Sequence, residues 1–392
     1  MHGSECKPPN NASLSMGSID YLPFGKKVFF KRGSSPIYLV LFITDRCNAR
    51  CKHCLLADGV HKPDKSLELT IDEIELLAQK MDPLMFLLPT GGEPFIRSDL
   101  GEIVRVFFKN NKVKNVGIPT NGFFTERIIT TVKNILETCP GIDLGVDVSI
   151  DGIKELHDEI RGVPGLFDRA VETYKELGKL EKLYPGFNVN IETTVSSYND
   201  TRLLENYDYF VNELKAHTVF TLLTRDKPRD SASKFFNIER YETYAKKMEE
   251  SIKKRILTGY DTFPFADFIN AKRIVRHKLI AKVVRENAYQ TPCFAGVLGT
   301  AIFSNGDVYP CELRTDLKLG NLREYNFDFK AIWNTEKAQE ARRVIRDEKC
   351  FCTYECFLTL NILFNPFMLP RVLKEWGALK LAKWKKGGMK QV

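Results

Sequence analysis

Hydrophobic and polar positions alternate along residues 37–224 with two different periods. Short apolar runs rich in β-branched and aromatic residues predict six strands, at 37–43, 84–89, 113–118, 142–150, 187–195 and 218–223. Between them the apolar residues recur at helical spacing, which predicts helices at 66–81, 99–109, 125–138, 167–183 and 201–215. Strands that alternate with helices favour a parallel sheet with right-handed crossovers. We therefore expect an α/β fold with a partial (β/α)6 TIM-like barrel over residues 37–224.

The pattern changes on both sides of this barrel. Residues 1–36 predict a poorly structured N-terminal leader, because they are polar and rich in turn formers. Residues 225–291 are charged and mostly helical in pattern, which indicates a helical connector. Residues 292–357 are turn-rich and hold five cysteines, so we expect a small cysteine-rich domain there. Residues 358–392 form a tail of separate character.

The tail carries apolar side chains at helical spacing with basic residues between them. The apolar positions are Leu369, Val372, Leu373, Trp376 and Leu379. This pattern resembles an amphipathic helix that lies on a membrane surface. A terminal helix that packs its apolar face on the protein's own barrel would show the same pattern, so both interpretations stay open.

Bulk composition narrows the class of protein. The chain has 392 residues, of which 43% are hydrophobic, and a net charge of +8. No apolar run reaches the ~18–20 residues that a spanning helix needs, and the first 30 residues show no signal-peptide core. The charge is moderate for this length and fits acidic or phosphorylated partners or a membrane surface, but alone it discriminates little between them. We expect no nucleic-acid partner. Ten cysteines without a secretory signal favour a reducing, cytoplasmic location and metal or cluster binding over disulfides. The alternative interpretation of the tail adds peripheral membrane contact to that location.

Three of the cysteines follow the first predicted strand. Cys47, Cys51 and Cys54 have a C-x3-C-x2-C spacing on a loop at the carboxyl end of that strand, where α/β proteins usually place their chemistry. Three thiolates can hold a [4Fe–4S] cluster with one iron left open, which suggests an enzyme rather than an electron carrier. The alternative is a zinc knuckle, but zinc prefers four ligands in close pairs and His53 is badly placed as the fourth.

A second motif, Gly91-Gly92-Glu93-Pro94, follows the second predicted strand and supports the interpretation of the thiol motif. The two motifs resemble those of the radical S-adenosylmethionine (radical SAM) superfamily. The resemblance implies that the methionyl group of S-adenosyl-L-methionine chelates the open iron. One electron from the cluster then cleaves the sulfonium, and the resulting 5′-deoxyadenosyl radical abstracts a substrate hydrogen. Gly91 and Gly92 would let the backbone approach the cofactor closely, and Glu93 would accept a hydrogen bond from its ammonium group.

The same resemblance implies further cofactor-binding residues. His53 would stack near the adenine, although it could instead be a surface histidine. Asn121 and Ser149 end the third and fourth strands, and Ser149 would contact the ribose or carboxylate. Arg161 would pair with the methionyl carboxylate through its guanidinium fork, with a helix-end salt bridge as the alternative. Thr194, at the end of the fifth strand, would line the adenine site.

The second cysteine group resembles a SPASM domain, an auxiliary-cluster module of sulfatase-maturating and pyrroloquinoline quinone biosynthesis enzymes. Its opening pattern is Cys293-x12-Gly306-x4-Cys311, with Gly306 in a tight hairpin. The usual seven or more ligands are missing, and Cys350-x-Cys352-x3-Cys356 replaces the longer downstream run. We therefore expect one auxiliary [4Fe–4S] cluster held by four of the five cysteines, with a zinc ribbon as the alternative. Cys6 and Cys139 match no motif and are expected to be free thiols.

These observations predict a radical SAM oxidoreductase or maturase that acts on a peptide or protein side chain and receives electrons from a ferredoxin- or flavodoxin-type donor. One alternative is a radical enzyme for a small molecule, such as a sugar, cofactor or lipid, at the membrane surface. The other is a non-catalytic iron–sulfur or zinc protein that binds a partner.

Overall fold

The computed structural model describes residues 22–29, 34–56, 64–259 and 265–388. The strands within these ranges are β1 (Tyr38–Thr44), β2 (Phe86–Gly91), β3 (Asn115–Thr120), β4 (Asp143–Ser149), β5 (Phe187–Val195), β6 (Val219–Leu223), β7 (Gly299–Ile302), β8 (Asp307–Tyr309) and β9 (Gly320–Asn321). They form one sheet in the order β6-β5-β4-β3-β2-β1-β7-β8-β9.

Helices connect and cover these strands. They are α1 (Leu22–Phe29), α2 (Ile71–Lys80), α3 (Leu100–Asn111), α4 (Thr125–Thr138), α5 (Glu155–Arg161), α6 (Leu166–Glu181), α7 (Leu203–Asn212), α8 (Ile238–Lys253), α9 (Ala266–Glu286), α10 (Phe329–Trp333), α11 (Glu336–Asp347), α12 (Glu355–Leu363) and α13 (Leu369–Gly388). Thr70 begins α2 with a capping box, in which its hydroxyl accepts from Glu73 N and the Glu73 carboxylate accepts from Thr70 N.

The six strands β1 to β6 are parallel throughout, which confirms the predicted partial barrel. The cysteine-rich segment continues the same sheet, because β7 pairs in parallel with β1, starting at Tyr38 opposite Gly299. Strands β7 and β8 form the predicted hairpin, and Gly306 adopts a φ of 87° that favours glycine. The two parts of the chain therefore share one continuous sheet, and the carboxyl ends of six parallel strands meet at one edge.

Two elements differ from the expectation. The described part of the leader is not irregular, because α1 forms and buries Phe24 and Val28 against Val40 and Phe42 of β1. Helix α5 was not expected, since seven residues are too few to show a helical period. Residues 1–21, including the expected free thiol Cys6, lie outside the described residues. The domain boundaries stay a prediction.

The tail helix α13 packs along α9 of the connector. Its Val372 and Leu379 are buried, and Trp376 meets Phe268 edge-on with ring centroids 6.2 Å apart. The opposite side is exposed and carries three large apolar side chains, namely Leu373, Leu381 and Trp384. Packing on the protein itself is therefore present, whereas membrane contact stays a prediction. Among the described helices, none has the length and apolar character needed to cross a membrane.

Candidate functional site

The loop that carries the first three cysteines is held by backbone hydrogen bonds from two sides. On one side, Gly92 N donates to Thr44 O at 2.8 Å and Glu93 N donates to Arg46 O at 2.9 Å. On the other side, the amides of Arg50 and Lys52 donate to carbonyls at the end of α5, each at 2.9 Å. The loop is thus clamped between the end of β2 and the end of α5, independently of any side chain.

The two glycines after β2 are required by this clamp. A Cβ atom at Gly91 would lie 2.0 Å from the Thr44 carbonyl oxygen, and one at Gly92 would lie 2.1 Å from that of Arg46. Both contacts are far inside van der Waals distance, so any side chain would displace the cysteine loop. The two glycines therefore let the backbone after β2 lie directly against the cysteine loop. The same two residues also line the central cavity.

The thiols of Cys47, Cys51 and Cys54 all line that cavity. Burial raises the pKa of Cys51 to about 12 against the opposing effect of Arg161, and burial also raises the pKa of Cys47. A bound metal has the opposite effect on the pKa, because a thiol that coordinates a metal is deprotonated. Three thiols on one clamped loop, facing one space, are a donor set that fits an iron–sulfur cluster. In the described ranges, no three His, Cys, Asp or Glu side chains are grouped as a single metal ion would need.

Glu93 is 1% exposed and connects the ends of two strands. Its carboxylate accepts hydrogen bonds from Phe95 N at 3.2 Å, Thr120 Oγ1 at 2.9 Å and Asn121 N at 2.7 Å. Burial raises the pKa of Glu93 to about 7, although these three bonds favour the charged form. Since a carboxylate can accept about four hydrogen bonds, one acceptor site remains for a ligand.

Asp151 organises the other side of the cofactor region. Its carboxylate accepts from Thr194 N at 2.7 Å and from Arg161 Nε at 2.7 Å, and it lies 3.8 Å from His53 Nε2. Burial alone would raise its pKa, but Arg161 and the two nearby histidines lower the pKa of Asp151 to about 2. The salt bridge considered for Arg161 is therefore present at its Nε, and it directs the rest of the guanidinium to the cavity that Arg161 lines.

The structure brings every predicted cofactor residue to one cavity of about 1810 Å³. Together with the three cysteines, it is lined by His53, Gly91, Gly92, Glu93, Asn121, Ser149, Arg161 and Thr194. The side chain of His53 is only 10% exposed, which disfavours the surface-histidine alternative, and its burial lowers the pKa of His53 to about 4. At neutral pH the His53 ring is therefore uncharged.

Sequence reasoning missed several charged residues of the same cavity. Asp147 on β4 lies opposite Asn190 of β5, two residues before Glu192, and burial raises the pKa of Asp147 and of Glu192 above the ordinary carboxyl range. The available signal was the two-residue period of β4, since Asp143, Asp147 and Ser149 all project to the side of the sheet that lines the cavity.

The five late cysteines divide into a group of four and a single thiol. Cys293 and Cys350 share a thiol hydrogen bond, and both interact electrostatically with Cys311 or Cys352. That hydrogen bond, helped by Arg314 against burial, lowers the pKa of Cys350.

Cys356 has different neighbours. It lies in the first turn of α12, hydrogen-bonds with the hydroxyls of Tyr38 and Tyr354, and lines the central cavity. The four other late cysteines do not line that cavity.

Comparison with known families gives two matches. The model of the Radical SAM superfamily matches residues 41–193, and the model of the iron–sulfur cluster-binding SPASM domain matches residues 293–357. Both kinds of domain bind [4Fe–4S] clusters. The two matched ranges contain all the cysteines of the two groups described above.

Individual proteins are similar over different shares of the chain. The AdoMet-dependent heme synthase of Methanosarcina barkeri is 28% identical over 337 residues, which covers 82% of this chain and 90% of that protein. The GTP 3′,8-cyclase of Alkaliphilus oremlandii is 28% identical over 200 residues, but the chain spans only 54% of its length.

Among solved structures, anSMEcpe with bound AdoMet and a Cp18Cys peptide superposes with a TM-score of 0.54 at 18% identity, over 89% of this chain and 99% of that one. Streptococcus suis SuiB bound to the precursor peptide SuiA gives a TM-score of 0.57 at 17% identity, over 87% of this chain and 74% of that one. At such identities the likeness concerns the fold.

Proposed function

Because the chain belongs to the radical SAM superfamily and carries a SPASM domain, we propose that Cys47, Cys51 and Cys54 hold its catalytic [4Fe–4S] cluster. When bound, this cluster supplies the electron that cleaves S-adenosyl-L-methionine to methionine and a 5′-deoxyadenosyl radical, which then takes a hydrogen atom from the substrate. The observation that carries the proposal is the single cavity shared by the three thiols and all eight predicted cofactor residues.

The remaining hydrogen-bonding capacity of these residues supports a role for each. Glu93 keeps one acceptor site for the methionyl ammonium group, while its other bonds fix the carboxylate between β2 and β3. Arg161, held at Nε by Asp151, offers its remaining donors to the methionyl carboxylate. His53 is uncharged and buried, which suits stacking with an adenine.

For the auxiliary cluster we propose Cys293, Cys311, Cys350 and Cys352 as the ligands. Their mutual interactions support this set, and the lowered pKa of Cys350 supports thiolate formation there. Cys356 is left as a thiol of the cavity wall. A zinc ribbon would use the same four thiols, so the metal content decides between the two.

For the substrate we propose a peptide or protein side chain as the first candidate, supported by the fold shared with anSMEcpe and SuiB, both of which have been solved with peptides. A small molecule is the second candidate. It is favoured by the heme synthase, a relative similar over nearly its whole length, and by the cavity itself. Much of the cavity wall is apolar, and ligand sites for small molecules are usually concave and apolar.

The test is release of 5′-deoxyadenosine by the protein after anaerobic cluster reconstitution. Incubation with dithionite and S-adenosyl-L-methionine should release it, and Cys51→Ala should reduce release to the background of the reagents. Cys139→Ala, a buried cysteine outside both groups, is the matched control and should retain release. Zinc in place of iron, or no 5′-deoxyadenosine from iron-loaded protein, would contradict the proposal.

A further inference from the structure

Helix α9 places two cationic side chains in the wall of the cavity, away from the cysteine loop. Lys272 and Arg276 are four residues apart and therefore share one face of the helix. Both line the cavity, yet they are only 6% and 5% exposed. Long cationic side chains are rarely buried to this extent unless they are paired.

Among the described residues, neither side chain finds a full set of hydrogen-bond partners. Within the described ranges, Nε and Nη2 of Arg276 are buried without a hydrogen-bond partner. Lys272 Nζ has one long hydrogen bond, 3.4 Å to Thr359 Oγ1. The neighbouring Arg273 differs, since its Nη2 donates to Val219 O at 2.8 Å. A buried donor without an acceptor costs about 1–3 kcal/mol, and more when it is charged.

The acidic groups nearby are largely engaged by another cation. Glu355 lies 3.3 Å from Arg225 Nη1, and Glu312 lies 3.8 Å from Arg225 Nη2. Glu355 also attracts Arg276, so this carboxylate is shared between Arg225 and Arg276. Burial, together with repulsion from Arg276 and Arg273, lowers the pKa of Lys272 well below its ordinary value. The positive charges of Lys272 and Arg276 are therefore only partly compensated by the carboxylates beside them.

The wall around these cations is apolar. Phe268 and Ile269 precede Lys272 on α9, Leu363 and Phe364 end α12, and Phe220 projects from β6. These side chains line the same cavity as Lys272 and Arg276, so a ligand held by the two cations would contact them. Its contacting part would therefore be apolar, while its end would be negative.

We propose that Lys272 and Arg276 form a subsite for the anionic group, a carboxylate or a phosphate, of a substrate whose body is apolar. The inference rests on the proposed function, because it assigns the substrate of that same cavity. It is distinct from the cofactor's own carboxylate, which is assigned to Arg161. Two charge-assisted hydrogen-bond partners on one helix face would hold the anion and orient the body of the substrate towards the cysteine loop.

The experiment measures thermal stabilisation of the reconstituted full chain by decanoate, decanol and inorganic phosphate. The test variant is Lys272→Met with Arg276→Met, which removes both charges but keeps apolar volume. The matched control is Lys282→Met with Arg285→Met, two exposed cations on the same helix. Since replacement of buried charges by apolar groups is often neutral or stabilising, the ligand-free test variant should melt no earlier than the wild type.

Decanoate should raise the melting temperature of the wild type and of the control more than decanol does. In the test variant the decanoate affinity should fall by roughly tenfold or more, to that of decanol. If inorganic phosphate stabilises the wild type but not the test variant, the ligand of the subsite is a free anion. Stabilisation by decanoate alone would assign an amphiphile, and either result supports the anionic subsite.

Equal stabilisation of wild type and test variant by decanoate, or no effect on the wild type, would overturn the subsite. Release of 5′-deoxyadenosine in the absence of substrate is measured in parallel. That release tests the proposed function alone, so a failed subsite and a failed enzyme assignment give different results.

Discussion

The two cysteine groups differ in number and in what positions them. Cys47, Cys51 and Cys54 lie on one loop that backbone hydrogen bonds clamp from both sides, and all three thiols face the cavity. The later four come from separate segments around β7, β8 and the end of α11, and they face one another. The first group presents its donors to a ligand, whereas the second closes on itself.

This difference indicates a division of labour within one continuous sheet. A cluster with three protein ligands keeps an iron for chemistry, whereas four ligands complete the coordination and leave redox or structural roles. Strand β7 joins the two groups through its pairing with β1, whose end carries the cysteine loop. Replacing one member of each group is the most direct way to test the distinction.

The largest expected effect is on iron content. The reconstituted wild type should hold about eight irons, and Cys51→Ala or Cys352→Ala should each hold about four. Only Cys51→Ala should also lose 5′-deoxyadenosine release, because we propose an open iron only for the cluster of the first group. Iron is measured by colorimetric assay and 5′-deoxyadenosine by liquid chromatography.

Cys356→Ala is the matched control within the second group. Its thiol bonds with Tyr38 and Tyr354 rather than with the other four, so the variant should keep about eight irons. A fall to about four would place Cys356 among the ligands and would contradict the separation described here.

A smaller effect is expected from the charge that orients Arg161. Asp151→Asn removes the carboxylate that holds Arg161 Nε and attracts His53, while the backbone clamp of the cysteine loop stays intact. The affinity for S-adenosyl-L-methionine should fall by about 10- to 100-fold, as for other residues that orient ligands from behind. Equilibrium dialysis of the reconstituted protein measures it.

The second cysteine group provides the internal check on this variant. The four irons assigned to it should remain in Asp151→Asn, since the carboxylate of Asp151 accepts from Thr194 N and Arg161 Nε, which do not belong to the second group. Asp143→Asn, at the opposite end of β4, is the matched control and should bind the cofactor as the wild type does. Loss of iron from both groups would mean that they are not independent.

The fold was largely predictable because its signal is local. Each of the six barrel strands is a short apolar run, and the cysteine spacing and Gly91-Gly92 are local motifs as well. Helix α5 was missed because it is short. Its contribution to the site is to accept a hydrogen bond at Arg161 O from Arg50 N, two residues that are far apart in sequence. The leader was misjudged because the partners of Phe24 lie in β1, across a turn-rich stretch.

The unpredicted part of the site depends on contacts at long range. Lys272 and Arg276 look like an ordinary solvated helix face in sequence, and only the packing of α9 against the barrel and α13 shows that they are buried. Cys356 could not be separated from Cys352 by spacing, because the direction of each thiol is decided by the start of α12. Charged residues acquire function here through burial, which a single sequence does not reveal.

The smallest expected effect concerns the carboxyl pair that lies between the two regions. The carboxyl of Glu192 interacts electrostatically with three neighbours: Asp147 on β4, Arg161 near the cysteine loop and Glu355 on α12. Burial raises the pKa of both carboxyls above their ordinary values, and repulsion by Asp147 raises the pKa of Glu192 further. The folded protein therefore keeps protons that the unfolded chain has already released, and the stability this provides is complete below about pH 4 and is lost as pH rises from about 4 to about 8.

Asp147→Asn with Glu192→Gln should remove this dependence. Between pH 6 and pH 8.5 the melting temperature of the wild type should fall by roughly 2 °C or more beyond that of the variant. Asp168→Asn with Glu172→Gln, two exposed carboxyls on α6, should keep the wild-type slope. Parallel slopes for wild type and the Asp147/Glu192 variant would mean that the pair is ionised in the folded protein. The charge of Arg161 would then be shared between Asp151 and Glu192, and the cysteine loop and the α12 region would be coupled electrostatically rather than independent.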